Sequence, residues 1–301
     1  MKYPKFCVLL ATYNGANYLD QQVQSIMNQD GVDVKIIASD DMSDDGTQEI
    51  LDRWSKRSNF SKLNNKKLGS AATNFFRLIL DADIGNAEFI SLSDQDDVWF
   101  KDKLIVATHK MAVKNVLGYS SSFISSWSDG RKIFIDKSYK MKKYDYLFES
   151  PGPGNTFVLK KEGFLAIKQY LIDNKALIKN VPDHSHDWFI YAFFRYNNFN
   201  WYIDSYAPLF YRQHQKNVIG VNYGIKAIRY RFQKVFNYQY FEEVSKISSS
   251  IKCDNLVLKA LNRFSIKDRF YLFWHAGEFR RKKIDVIALS IFFLFVTKSN
   301  K

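Results

Sequence analysis

The sequence predicts an α/β fold in which helices flank a sheet of mainly parallel strands. Apolar runs of strand length alternate with segments of helical periodicity, and each run ends in a polar turn. Such continuous runs are typical of strands buried on both faces, and their alternation with helices is typical of parallel sheets. With 301 residues and 46% apolar content, the chain is long enough for one large domain or two smaller ones.

The elements of this fold can be assigned in order along the first hundred residues. Apolar runs of strand length, followed or preceded by apolar residues at helical spacing, alternate through this part of the chain. We predict strands at residues 6–11, 34–38 and 88–92, and helices at residues 19–27, 50–54 and 70–79. The pattern loosens after about Lys110, and a further strand is predicted at residues 132–135.

Three polar turns follow predicted strands, at Thr12, Asp40 and Asp94. Because parallel strands point the same way, these turns should meet at the carboxyl edge of the sheet, where α/β proteins bind ligands. The sequence contains neither a G-x-G-x-x-G fingerprint nor a P-loop. The edge therefore lacks the phosphate cradles of dinucleotide-binding proteins and P-loop NTPases.

The third turn carries a cluster of acids, Asp94, Asp96 and Asp97, directly after an apolar run. Like charges at this spacing raise one another's pKa unless a cation lies between them. Mg²⁺ commonly takes one or two carboxylates together with substrate phosphates, so the cluster indicates a metal site. The alternative is the start of a helix, with Asp97 as the N-cap.

The net charge of +13 is concentrated near the C-terminus, where residues 226–283 hold fourteen Lys and Arg against five acids. The basic run Arg280–Lys283 precedes an apolar segment, Ile284–Val296, that is shorter than the roughly 20 residues of a transmembrane helix. This pattern favours contact with an anionic membrane surface, and the alternative is a helix of the core. No nucleic-acid-binding motif accompanies the charge, so we expect no nucleic-acid partner.

The chain has two cysteines, Cys7 and Cys253, far apart in sequence. They form neither a disulfide framework nor a zinc-binding pattern, and no signal peptide is evident at the N-terminus. We therefore expect a reducing compartment, the cytoplasm.

Five motifs occur in a characteristic order along the chain. They are V-L-L-A-T-Y-N-G from Val8, S-D-D-M-S-D-D-G-T from Ser39, S-D-Q-D-D-V-W from Ser93, H-D-W from His186 and Y-R-Q-H from Tyr211. With these motifs the chain resembles the family 2 glycosyltransferases, inverting nucleotide-sugar enzymes with a GT-A fold, over about residues 6–220. The last three motifs are similar to those of rhamnosyltransferases of bacterial surface polysaccharide (O-antigen) synthesis.

The resemblance implies a GT-A-type, Rossmann-like mixed sheet flanked by helices over residues 1–220. The rest, residues 221–301, would form a helical, basic, membrane-associating region. The D-x-D motif maps to Asp94 and Asp96, which would hold Mg²⁺ or Mn²⁺, with Asp96 as the direct ligand and Asp94 contacting the metal or the ribose. Asp187 would be the general base, and its alternative role is an N-cap of the following helix.

The remaining site residues also follow from the resemblance. Arg212 and His214 would face the diphosphate, where a guanidinium can bind phosphate oxygens in bidentate fashion. Trp188 and Tyr211 would be acceptor-sugar walls, or else core aromatics. The nucleoside would be bound by Thr12, Tyr13, Asn14, Asp40 and Asp41.

The implied reaction moves a sugar from a UDP- or dTDP-sugar to a hydroxyl of a growing glycan. The acceptor would be lipid-linked, and the enzyme would lie on the cytoplasmic face of the membrane. The Q-x-x-R-W motif of processive members is absent, which disfavours a polymerising synthase. Two alternatives remain open, a metal-dependent nucleotidyltransferase and a non-enzymatic basic adaptor that binds membrane or nucleic acid.

Overall fold

The computed structural model describes residues 3–214 and 239–295. The strands are β1 (Lys5–Thr12), β2 (Asp33–Asp40), β3 (Phe60–Lys62), β4 (Phe89–Ser93), β5 (Val98–Trp99), β6 (Gly118–Ser121), β7 (Phe123–Trp127), β8 (Lys132–Ile135), β9 (Val158–Lys160), β10 (Trp201–Asp204) and β11 (Leu209–Gln213). The helices are α1 (Ala16–Met27), α2 (Thr47–Trp54), α3 (Ala71–Asp81), α4 (Lys103–Lys114), α5 (Asp145–Phe148), α6 (Lys161–Asp173), α7 (Lys175–Ile178), α8 (His186–Tyr196), α9 (Gln239–Ser250), α10 (Leu256–Arg263), α11 (Ile266–Trp274) and α12 (Lys283–Phe295).

A seven-stranded sheet forms the centre of the molecule, in the order β10-β6-β9-β4-β1-β2-β3. The strands β1, β2, β3 and β4 run parallel, as the alternation of strands and helices predicts. The strand β9 lies antiparallel between β4 and β6. The sheet is therefore mixed, and helices cover it, which confirms the predicted fold class.

The central strand β1 shows why its sequence is apolar without interruption. Cys7 and Leu9 point into a cluster formed with α3, α6 and α8, whereas Val8 and Leu10 point into a second cluster formed with α1 and α4. Each large side chain buried in this way contributes roughly 1.5–3 kcal/mol to folding. Because both faces of the strand are buried, polar and apolar residues do not alternate along it.

A second, four-stranded sheet lies beside the first, in the order β5-β11-β7-β8. The strand β5 begins directly after the acidic cluster and pairs antiparallel with β11, placing Trp99 opposite Leu209. The other edge of β11 pairs in parallel with β7. This small sheet therefore carries the Y-R-Q-H motif to the end of the acidic turn.

The described part of the C-terminal region is helical, as predicted, and consists of α9 to α12. Buried side chains of these helices, such as Val244, Leu289 and Phe293, belong to the same apolar cluster as α3 and α8. Residues 221–238 and 296–301 of the predicted region lie outside the described residues. Among the residues that are described, no helix combines the length and apolar character needed to span a bilayer.

Candidate active site

The polar turns after β1, β2 and β4 meet at one edge of the large sheet. In the parallel register Thr12 lies opposite Asp40, and Leu10 lies opposite Ser93. The Oγ1 atom of Thr12 donates a 2.7 Å hydrogen bond to Asp40. The three turns therefore form one continuous surface, as the strand order requires.

Asp40 is buried and anchors the second turn through its carboxylate. Besides the bond from Thr12, the carboxylate accepts bonds from the Ser43 backbone N–H at 2.8 Å, the Ser43 hydroxyl at 2.6 Å and the Gln48 amide at 3.1 Å. Protein donors thus surround this group, which shapes the turn. Its recognition of the nucleobase stays a prediction.

Asp41 is also buried and stabilises a neighbouring loop. Its carboxylate accepts hydrogen bonds from the backbone N–H groups of Leu68 and Gly69, the latter at 2.8 Å. This loop leads into α3, whose N-cap is Ser70. The position of Asp41 beside Asp40 agrees with the predicted placement, and its contact with the nucleoside stays a prediction.

The turn after β1 is bound to the acidic turn through Gln95, a residue that the sequence did not single out. The Gln95 side chain accepts a 2.8 Å bond from the Tyr13 N–H and donates a 2.7 Å bond to the Tyr13 carbonyl. The Tyr13 ring is 58% exposed and available for a ligand. Asn14 adopts a left-handed conformation and accepts a bond from the Asp44 N–H.

Burial makes ionisation unfavourable for two carboxylates of the acidic cluster, those of Asp94 and Asp97. Burial, together with the carboxylates of Asp96 and Asp187, raises the pKa of Asp94 to about 8. Asp97 is fully buried, and burial together with Asp96 and Asp94 raises its pKa well above the usual range. Like-charged carboxylates gathered in a site from which water is largely excluded require a counter-charge to be fully ionised.

The alternative role of Asp97 as a helix N-cap is wrong. The next helix, α4, starts at Lys103, and the residues after Asp97 form β5 instead. Val98 and Trp99 are drawn into β5 because they pair with β11. Asp97 instead accepts a hydrogen bond from the Asn155 side chain, and its other oxygen has no partner among the described residues.

A buried lysine, which the sequence analysis did not identify, lies behind the cluster. Lys103 is only 2% exposed, and its Nζ atom lies 3.3 Å from the Ser91 hydroxyl and 3.5 Å from the centre of the Trp99 ring. Burial lowers the pKa of Lys103 to about 7, and the nearby charge of Asp97 opposes this shift. A buried amine therefore lies on the protein side of the cluster, and it carries a positive charge only when it is protonated.

Asp187 lies in the first turn of α8, where Ser185 occupies the N-cap position. The proposed N-cap role of Asp187 is therefore wrong. Its carboxylate accepts a 2.6 Å bond from the Trp188 N–H and a 3.3 Å bond from the Ser150 hydroxyl. Burial raises the pKa of Asp187 to about 6, although these bonds and Lys137 act in the opposite direction. Such a carboxylate is ionised at neutral pH and still basic enough to accept a proton.

Tyr211, on β11, shows that the separate motifs form one site. Burial raises the pKa of its phenol well above the usual range, and four carboxylates raise it further. The four are Asp94, Asp97, Asp96 and Asp187. The predicted base and the predicted metal ligands are therefore both near enough to Tyr211 for their charges to affect its phenol.

The rest of the Y-R-Q-H motif contacts α1. The Nε2 atom of His214 lies 2.8 Å from an Asp96 oxygen, and its ring stacks on Tyr18 with centroids 4.9 Å apart. Arg212 donates a hydrogen bond to the Gln21 side chain, and its guanidinium lies 5.2 Å from the centre of the Tyr18 ring. Tyr18 and Gln21 were not identified from the sequence, where they are only exposed positions of an amphipathic helix.

Trp188 is packed as a core aromatic. It is 7% exposed, its indole N–H donates a 2.8 Å bond to the Tyr146 carbonyl, and its ring stacks on Tyr240. This environment supports the alternative given for it from the sequence. A role as an acceptor wall stays a prediction for Trp188 and for the half-buried Tyr211.

The donor atoms at the acidic cluster suit a hard divalent cation. They are carboxylate oxygens, and one oxygen of the buried Asp97 is without a partner in the described part of the chain. Within residues 3–214 and 239–295, no group of three or more His, Cys, Asp or Glu side chains is arranged to hold a metal. Mg²⁺ commonly takes one or two carboxylates and completes its coordination with substrate phosphates. Binding of Mg²⁺ or Mn²⁺ by Asp94 and Asp96 stays a prediction.

Comparison with known sequences identifies the family. The sequence model of glycosyl transferase family 2 matches residues 7–171. The chain is 38% identical over 285 residues to the dTDP-rhamnosyl transferase RfbG of Shigella flexneri, covering 92% of this chain and 96% of that protein. It is 33% identical over 106 residues to the abequosyltransferase RfbV of Salmonella typhimurium, covering 34% of this chain and 30% of that protein.

Solved structures support the same fold. TarS residues 1–349 from S. aureus in complex with UDP aligns with a TM-score of 0.54 at 18% identity, covering 99% of this chain and 76% of that one. The complex with UDP-GlcNAc aligns with a TM-score of 0.52 at 16% identity, covering 96% and 90%. These similarities confirm the predicted GT-A fold, and the match over most of both sequences decides the family. The chain belongs to glycosyl transferase family 2 and is a glycosyltransferase.

Proposed function

We propose that this enzyme transfers rhamnose from dTDP-rhamnose, with inversion at the anomeric carbon, to a hydroxyl of a growing cell-surface polysaccharide. The sugar is inferred from the 38% identity to a dTDP-rhamnosyl transferase, which extends over almost the whole of both chains. The reaction type is inferred from the family and from the residues of the site. A UDP-sugar is the alternative donor.

One observation carries the proposal: the charges of Asp187 and of the acidic cluster all raise the pKa of the same phenol, that of Tyr211. The charge of Asp187 also contributes to the raised pKa of Asp94. A base and a set of phosphate-directed metal ligands are the two groups that direct sugar transfer requires. Their meeting in one half-buried site supports this reaction over separate structural roles.

Asp94 and Asp96 would hold Mg²⁺ or Mn²⁺ at the donor diphosphate, with Asp96 as the direct ligand. The cation would neutralise charge that develops on the departing diphosphate. Arg212 on β11 and His214, which directly follows this strand, would bind phosphate oxygens by charge-assisted hydrogen bonds. The Tyr18 ring, which contacts both of them, holds these two side chains together.

Asp187 would accept the proton of the attacking hydroxyl. As that oxygen bonds to the anomeric carbon, the bond from this carbon to the diphosphate oxygen breaks, and the electron pair leaves with the nucleoside diphosphate. A base with a pKa of about 6 is ionised at pH 7, so it is ready for this transfer. Ser150 and the Trp188 N–H fix the orientation of the carboxylate.

The nucleoside would lie over the turns after β1 and β2. The exposed ring of Tyr13 is placed to stack on a base or ribose, and Thr12, Asn14, Asp40 and Asp41 shape the surface beneath it. We propose that the acceptor is a lipid-linked glycan and that the enzyme works at the cytoplasmic face of the membrane. The division of the chain near residue 220 is part of this proposal.

A donor screen tests the proposal. Purified protein with Mg²⁺ or Mn²⁺ is offered a panel of dTDP- and UDP-sugars, and donor binding, donor hydrolysis and the released nucleotide are measured. We expect dTDP-rhamnose to bind most tightly and to release dTDP. Release of pyrophosphate would instead identify a nucleotidyltransferase. Tighter binding of a donor with another sugar would overturn the rhamnose assignment.

A further inference from the structure

The outward side of helix α11 is apolar, contrary to what is usual for a helix on a protein surface. Ile266, Phe270 and Trp274 recur every four residues and so share one face, and they are 71%, 62% and 83% exposed. The opposite side of the helix buries Asp268 and Leu272. A helix that packs only against its own protein has the reverse pattern, with polar residues outward.

The adjacent helix α12 also exposes apolar side chains. Its inner side buries Phe292 and Phe293 in the core, whereas Ile287 and Phe295 are 52% and 75% exposed. Arg269 on α11 donates a 2.9 Å bond to the Phe293 carbonyl, which fixes the two helices to each other. We call the six exposed side chains the apolar C-terminal face: Ile266, Phe270, Trp274, Ile284, Ile287 and Phe295.

The exposed charges on these two helices are positive. Lys267 and Lys283 are exposed. The acids of the same helices are turned inward, since Asp268 and Asp285 are each only 7% exposed, and Asp285 lies 3.2 Å from the Arg280 guanidinium. A surface with exposed lysines and buried carboxylates is complementary to negative charge.

The basic run Arg280–Lys283 is partly buried. Arg281 is buried, with guanidinium nitrogens 3.5 Å from Asp145 and 3.4 Å from Glu149, and Arg280 pairs with Asp285. These two arginines hold the C-terminal region to the core. The surface charge near α12 therefore comes from the lysines of the run and not from its arginines.

We propose that the apolar C-terminal face docks the enzyme onto an anionic phospholipid surface. The helix α11 would lie in the plane of the interface, with its apolar residues in the acyl boundary and Trp274 at the level of the headgroups. Lys267 and Lys283 would contact lipid phosphates. The inference rests on the proposed function, since a lipid-linked acceptor would be met at this surface, but docking itself requires no catalysis.

Co-sedimentation with vesicles tests the docking. The full chain is mixed with vesicles of phosphatidylcholine, alone or with an equal amount of phosphatidylglycerol. We expect binding to the anionic vesicles, weakened about tenfold or more when Ile266, Phe270 and Trp274 are replaced by serine. A matched control replaces the exposed Val113, Leu165 and Ile172, which lie on other helices, and should bind as the wild type does.

A charge-reversal pair tests the role of the lysines. Lys267→Glu with Lys283→Glu should weaken binding to anionic vesicles roughly tenfold, and added salt should reduce wild-type binding in the same direction. The control reverses the charges of Lys56 and Lys66, two exposed lysines in the N-terminal part of the chain. Circular dichroism would show that all variants remain folded.

Tryptophan emission gives an independent readout in the unaltered protein. Four of the six tryptophans are buried in the core, and Trp127 lies under Arg131, so Trp274 is the one placed to enter a bilayer. Anionic vesicles should shift the emission to shorter wavelength, and Trp274→Phe should abolish that shift. Asp187→Asn should bind vesicles normally, which separates this test from a failure of the proposed reaction.

Two results would overturn the docking proposal. The first is unchanged vesicle binding in the triple serine variant. The second is a wild-type dimer that this variant converts to a monomer, which would make the face an interface between copies of the chain.

Discussion

Asp187 combines two properties that a general base needs, a carboxylate oriented by hydrogen bonds and a raised proton affinity. Burial raises its pKa to about 6, above the ordinary value of 3.8. Since the base acts in its ionised form, activity depends on pH through this group. The acid limb of the pH-rate profile should therefore follow the protonation of Asp187.

We predict that the transfer rate is constant near neutral pH and falls about tenfold per pH unit below about pH 6. Initial rates at saturating metal and donor would measure this. Donor binding at the same pH values is the control, because a parallel loss of binding would assign the change to the donor site. A flat profile down to pH 4 would contradict the role of Asp187.

The acidic cluster sets function against stability. Because the folded-state pKa of Asp94 is raised to about 8 from 3.8, the folded protein holds a proton that the unfolded chain releases. Stability without metal should therefore decrease as pH rises from about 4 to about 8. A neutral isostere at this position removes the electrostatic cost and also removes a carboxylate proposed to bind the metal.

We predict that Asp94→Asn, without metal at pH 8, raises the free energy of unfolding by an amount on the order of 1 kcal/mol while activity is lost. Mg²⁺ or Mn²⁺ should raise the melting temperature of the wild type but not that of Asp94→Asn or Asp96→Ala. The exposed Asp30→Asn is the control and should change neither property. A destabilised Asp94→Asn protein would refute the repulsion argument.

The site residues that could be predicted from the sequence are those that belong to a short motif, such as Asp94, Asp96 and Asp187. Gln95, Lys103 and Tyr18 were missed because their roles depend on contacts between distant segments. Gln95 bonds the turn after β1, and Lys103 is buried where its pKa is affected by the charge of Asp97. Only the tertiary structure shows that an ordinary lysine of α4 is 2% exposed.

At the scale of elements, the start of α8 is positioned by the loop before β9. A Cβ atom added at Gly154 would lie 2.6 Å from Nε2 of His186 and 3.6 Å from Cβ of Asp187. The buried His186 ring is also stacked on Phe75 at 4.0 Å, so it has little room to move. The glycine therefore permits the close approach that sets the position of the base.

We predict that Gly154→Ala lowers the turnover number about tenfold or more, with a much smaller change in donor affinity. The reason is displacement of Asp187 relative to the donor, whose binding turns lie on other elements. Gly277→Ala is the matched control, since an added Cβ there meets nothing within 4 Å. Equal turnover in both variants would show that the loop does not position the base.

The long elements were predictable and the short ones were not. The apolar run of β1 and the helical spacing of α3 specify their own conformations. The strands β5 and β9 have two and three residues and exist because distant partners pair with them. Their pairing inserts an antiparallel strand into the sheet and brings β11 to the acidic turn, neither of which local periodicity encodes.

At the scale of the whole molecule, the C-terminal helices are packed onto the catalytic part of the chain. Arg281 reaches Asp145 and Glu149, and Tyr240 donates a hydrogen bond to the Phe148 carbonyl. The same helices turn the apolar C-terminal face outward. The molecule thus joins a sugar-transfer site and the proposed lipid-docking surface through one continuous core.

The most direct test of the central claim is the turnover of Asp187→Asn with saturating dTDP-rhamnose, metal and glycan acceptor. The substitution preserves shape and removes the proton acceptor. We predict loss of transfer by a factor of about 10³ or more, with donor affinity within a few-fold of the wild type. Wild-type turnover in this variant would contradict the assignment of Asp187 as the base.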